Sequence, residues 1–118
     1  MQYTIMIIES PEGFAARTDP AQQQAYWSGT MHYLNALKEA GIFVGGAGLQ
    51  LPETATTLIP EGGQYRVQDG PFAETKEQLG GFFIIRAGNL DEALQWAARF
   101  PQRPGTLVEV RPNLPNEQ

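Results

Sequence analysis

A chain of 118 residues with 42% hydrophobic and 18% charged side chains has the mixture of one globular domain with a core of its own. Its formal net charge of -5 excludes a protein that tracks a nucleic-acid backbone, which needs a basic face. With no cysteine and one histidine, the chain excludes disulfides, thiolate catalysis, cysteine zinc sites and a multi-histidine metal site within one copy.

The first apolar run, Tyr3 to Ile8, is too short for a signal sequence and has no basic residue before it. No run approaches a membrane span, so a soluble cytoplasmic protein with no membrane partner is expected. The same run reads as a strand apolar on both faces. Glu9 to Phe14 reads as a loop, with Pro11 and Gly13 as breakers. Asp19-Pro20 predicts a helix start, and Gly41 a stop after Ala40. Trp27, Met31, Leu34 and Leu37 form the expected core stripe, flanked by Ser28, His32, Asn35 and Glu39.

A second strand begins at Ile42 and meets Gly45-Gly46-Ala47-Gly48, the mark of a bulge. These glycines match neither phosphate-binding fingerprint and have no basic residue close behind. Ala55 to Ile59 and Gln64 to Val67 predict a hairpin joined by Pro60-Glu61-Gly62-Gly63. Phe82 to Ile85 is a buried strand, and Glu74 to Leu79 before it is a helical turn or an ordered loop. Asn89 with Glu92 predicts a capping box over Leu90, Ala93, Leu94 and Ala97, bounded by Pro101. In the last strand, Thr106 to Arg111, alternation sets Leu107, Glu109 and Arg111 on one face and Val108 and Val110 on the other. Residues 1–112 form the expected single domain, with an extended tail over 113–118.

This order predicts an α+β fold, a ferredoxin-like split βαβ with an inserted β-hairpin. Two helices cover one face of such a sheet, yet strands one and three are apolar on both. A second copy is the simplest cover, so a homodimer with facing sheets is expected.

The densest chemistry lies at Asp69 to Ile85. Asp69 and Gly70 form a turn, and Pro71 removes a donor. His32, the one histidine, pairs with Asp69 as a candidate acid–base couple. The alternative is a helix-flank histidine bonded to a loop carbonyl, with Asp69 only a turn former. Glu74 and Lys76 read as ligand contacts or as a solvated loop, and Phe72 as a pocket wall. Glu109 and Arg111 read as partly buried polar contacts or as a structural ion pair. The other aromatic residues read mostly as core.

The run Asp69-Gly70-Pro71-Phe72, then Ala73-Glu74-Thr75-Lys76-Glu77 and Gly80-Gly81-Phe82, resembles the DGPF-type branch of the YCII-related domain proteins. Gly45-Gly46-Ala47-Gly48-Leu49, Leu90-Asp91-Glu92-Ala93 and Val108-Glu109-Val110-Arg111-Pro112 extend the likeness across Tyr3 to Pro112. The resemblance implies a dimeric α+β barrel and a small-molecule cleft with a His–Asp pair, here His32 and Asp69. It implies neither a reaction nor a cofactor. It also carries an alternative, a non-catalytic regulatory module linked to sigma factors, by association alone.

Overall fold

The computed structural model describes residues 1–115, and 116–118 of the expected tail lie outside the described residues. In chain order the elements are β1 (Gln2–Glu9), α1 (Pro11–Ala15), α2 (Gln23–Glu39), β2 (Phe43–Gly48), β3 (Thr56–Glu61), β4 (Gln64–Asp69), β5 (Gln78–Arg86), α3 (Leu90–Ala97) and β6 (Thr106–Pro112), with one 3-10 turn at Pro52–Thr54. The architecture is α+β, with an antiparallel four-stranded sheet in the order β2-β5-β1-β6 and a separate hairpin of β3 and β4.

The core follows from strand alternation. Tyr3, Ile5 and Ile7 of β1 are buried, as are Phe83 and Ile85 opposite them in β5. They pack against Tyr33 and Leu37 of α2 and Ala93 and Ala97 of α3, so both helices lie on one face. The other face carries Thr4, Met6 and Ile8 beside Phe82 and Ile84, and all five stay half-buried. One chain therefore covers fully only one side of strands that read as apolar on both. The slab that results measures 47 × 43 × 18 Å. Its radius of gyration of 16.0 Å exceeds the about 13–14 Å of a compact domain this long.

The hairpin causes much of this spread. Gly62 and Gly63 have φ of 59° and 83°, the pair of positive angles that a two-residue type I′ turn needs. Leu58 pairs with Val67 and Pro60 with Tyr65 on one face, where Leu58, Val67 and Tyr65 are each more than half exposed. Strands β3 and β4 touch each other and scarcely anything else.

Several sequence expectations need correction. The run after Glu9 is not a plain loop, because Ser10 accepts a hydrogen bond from the Gly13 amide and Pro11 opens helix α1. Asp19-Pro20 makes a turn that Gln22 and Gln23 close on the Asp19 carbonyl, and α2 starts only at Gln23. The buried stripe of α2 is Tyr26, Tyr33 and Leu37; Trp27 and Met31 are about half exposed on its flank. A stripe one residue away has the same helical spacing, so periodicity alone does not choose between them. In α3, Leu90 and Leu94 are exposed while Ala93 and Ala97 are buried. Asn89 caps it as expected, its Oδ1 accepting from the Glu92 amide at 2.9 Å, but Glu92 Oε2 accepts from the Gly88 amide at 3.1 Å, one residue before the cap that a capping box would use. Glu74 to Glu77 form an irregular loop with no helical turn.

Tyr33, 2% exposed, donates from its hydroxyl to the Trp96 carbonyl at 2.8 Å and so ties α2 to α3. Burial pushes its pKa up from 10.0 to about 12. The neutral hydroxyl is favoured in the folded state, so its stabilising share is intact below pH 10.0 and is lost as pH rises toward about 12. Alkaline denaturation of wild type should therefore show a step in this window that is absent in Tyr33→Phe, read as tyrosinate absorbance together with circular dichroism.

Candidate functional site

The alternation that buries Tyr3, Ile5 and Ile7 carries one position further, to Glu9. Its side chain is 0% exposed. A bare carboxylate there would cost several kcal/mol of lost hydration, so partners are required. Helix α1 turns the chain back so that Arg17 Nη2 meets Glu9 Oε2 at 3.1 Å. The Tyr26 hydroxyl, on α2, donates to Glu9 Oε1 and Oε2 at 2.8 and 2.9 Å. Arg17 Nε donates to the same hydroxyl oxygen at 3.0 Å. Arg17 Nη2 also donates to the Gly80 carbonyl and Nη1 to that of Leu49, which fastens the guanidinium to the ends of β5 and β2.

Arg103 approaches from the segment between α3 and β6. Its Nη2 donates to the Tyr26 carbonyl at 2.8 Å and to Thr30 Oγ1 at 2.6 Å. Its guanidinium lies 3.8 Å above the Tyr26 ring centroid, a cation–π contact. Nη1 stands 3.8 Å from Glu9 Oε1, too far for a hydrogen bond, and is buried with no hydrogen-bond partner among the described residues. Burial lowers the Arg103 pKa from its ordinary value. Burial, followed by the bond to Glu9, raises that of Tyr26, which stays protonated at neutral pH.

Gly80 makes room for this cluster. A Cβ there would sit 2.6 Å from Glu9 Oε2 and 3.0 Å from Arg17 Nη2. The glycine pair that reads in sequence as a strand entry thus spares the space that the ion pair fills. Gly46 has a similar role one strand away, where an added Cβ would collide with the Phe82 carbonyl.

Beside the cluster lies a cavity of about 250 Å³ between α2 and the β2–β5 side of the sheet. Arg17, Tyr26, Thr30 and Arg103 form part of its wall, and Trp27, Met31, Leu34, Phe43, Phe83 and Phe100 supply apolar surface. An apolar hollow with a few convergent polar groups is the usual form of a small-molecule site. Chemically, the arrangement can hold an anion on a guanidinium and pass a proton between the Tyr26 hydroxyl and Glu9.

The residues singled out in the sequence lie elsewhere, in separate places. His32 is on the exposed face of α2, in a shallow depression with Gln24, Ser28 and Asn35. Asp69 ends β4 opposite Thr56, at the base of the hairpin. Among the described residues no hydrogen bond or ion pair joins His32 to Asp69. Phe72 is 72% exposed. Glu74 and Lys76 line a groove with Pro11, Phe14 and Pro52. Glu109 and Arg111 pair with each other at 2.7 Å on the outer face of β6. Among the described residues no group of three His, Asp or Glu side chains is placed to hold a metal ion, and no helix is long and apolar enough to cross a membrane. The cluster that the structure does assemble had one sequence signal, an acid two positions beyond Ile7 on the buried parity of β1.

Comparison with known proteins gives the class first. The YCII-related domain matches residues 1–115, and the chain belongs to that family. A relative in Rhizobium meliloti (strain 1021), named only as an uncharacterized protein, is 51% identical over 65 residues, covering 52% of each chain. The chain thus spans about half the length of that relative.

Removing the charge of Glu9 would leave two guanidiniums against a buried neutral amide. Glu9→Gln should cost about 3–5 kcal/mol in urea unfolding, whereas Glu109→Gln, in an exposed pair, should cost less than about 1 kcal/mol.

Proposed function

We propose that this YCII-related protein binds a small molecule in the cavity between α2 and the sheet, with Arg17, Tyr26 and Arg103 as its polar end and Glu9 buried behind them. The observation that carries this reading is the buried carboxylate clasped by a tyrosine and two arginines at the wall of an otherwise apolar hollow. Surface ion pairs serve solubility, but a cluster that resists desolvation beside open apolar space suits recognition. The Tyr26–Glu9 pair takes the acid–base role here. A His32–Asp69 couple is a separate proposal and needs a movement or a second chain to bring the two together. A thermal-shift screen of metabolites separates the two. Ligands of the cavity should lose their effect in Met31→Trp, which enlarges a half-exposed wall residue, and keep it in His32→Ala. Loss in His32→Ala with retention in Met31→Trp would refute the cavity reading and favour His32.

We also propose that two copies pair into a dimeric α+β barrel. The sheet order β2-β5-β1-β6, with α2 and α3 on one face, supports a ferredoxin-like split βαβ interrupted by the β3–β4 hairpin. The half-buried Met6, Ile8, Phe82 and Ile84, together with exposed Leu107, make an apolar outer face of the kind a second sheet covers. The Asp69-Gly70-Pro71-Phe72 turn supports placement in the DGPF-type branch. Light scattering should give twice the 13.0 kDa chain mass, and Ile84→Glu should return it to the single-chain value. A monomeric wild type would rule out the barrel.

A further inference from the structure

The charge balance at the inner wall of the cavity is uneven. Arg17 and Arg103 bring two positive charges to a single carboxylate, Glu9. The side chains are 10% and 12% exposed for the arginines and 0% for the acid, so solvent screens the surplus poorly. Each nitrogen of Arg17 already donates, to Glu9, Tyr26 or one of two carbonyls. Arg103 commits Nη2 to Tyr26 and Thr30 and leaves the buried Nη1 with no hydrogen-bond partner among the described residues. A buried guanidinium edge with no acceptor is costly unless something supplies one.

From this geometry we propose that the cavity takes a monoanion with an apolar body, an aryl or short alkyl carboxylate, whose carboxylate is received at Arg103. The inference rests on the cavity being a ligand site. One surplus positive charge matches one negative charge, not the two of a phosphate monoester. A charged N–H of a guanidinium also donates a stronger bond to a carboxylate oxygen than to the oxygen of a neutral amide. Met31, Leu34, Phe43 and Phe83 offer no partners for a sugar or a nucleotide, so the rest of the ligand is apolar. The space of 250 Å³ equals about eight waters, which fits one ring with a short substituent.

Titration calorimetry with benzoate and phenylacetate, each beside its amide and its amine, tests the assignment. The carboxylates should bind at least about tenfold tighter than the amides, and the amines should not bind. Arg103→Gln should level carboxylate and amide, and Arg103→Lys should keep part of the preference. If the Gln variant does not fold, the wild-type ranking decides the matter alone. Equal binding of carboxylate and amide in wild type, blocked by Met31→Trp, would leave the cavity reading standing and overturn the anion. Binding of none of the probes overturns it too, and the metabolite screen then judges the cavity by itself. A crystal soaked in phenylacetate should show its carboxylate on Arg103, whereas only an ordered water on Nη1 would overturn the proposal.

Discussion

Everything around the first strand answers to one buried negative charge. Glu9 occupies a position that alternation reserves for core side chains, and its carboxylate has no access to water. Such a group persists only if its surroundings replace the lost hydration. Four segments are recruited for this: α1 turns to present Arg17, α2 presents Tyr26, the α3–β6 connection presents Arg103, and β5 opens at Gly80. The aromatic faces of Phe14, Tyr26 and Phe100 flank the guanidiniums and keep the cluster dry. The cavity opens where this polar knot meets the apolar underside of α2.

Element order and much local chemistry were legible in the sequence, because they depend on short-range patterns. The Asn89–Glu92 cap, the Gly41 stop, the Gly62-Gly63 turn and the alternation of β6 all act within a few residues of themselves. The candidate site was legible only in part. Reading favoured the densest run of ionisable groups, Asp69 to Lys76, together with the single histidine. Those side chains are exposed, and the structure spreads them over a helix face, a hairpin base, a loop and a strand edge. The groups assembled around Glu9 stand at positions 9, 17, 26 and 103, and no local pattern links such distant residues. The stripe of α2 shifted by one residue for a related reason. Tyr26 and Tyr33 look amphipathic in sequence, and only the partners of their hydroxyls make them interior residues.

The two faces of the sheet are built for different purposes. The helix side is filled by aromatic and aliphatic side chains, with Tyr33 in edge contact with Phe83 and Phe100 at ring separations of 5.2 Å. The outer side carries an apolar middle and an exposed Glu109–Arg111 pair near its rim. A thin slab with an arm standing off it has more surface than its core needs. That excess is the strongest physical argument for association.

The clasp on Glu9 also constrains the order of events during synthesis. Arg103 lies 94 positions downstream of the acid it faces, and β6, the strand that flanks β1, ends later still, at Pro112. A nascent chain emerging from the ribosome therefore carries a half-compensated acid and an unpaired strand edge until the α3–β6 connection and β6 have both emerged. Closing so long a loop is slow relative to local helix formation. Until then the edge of β1 that β6 covers stays open to pairing with another chain.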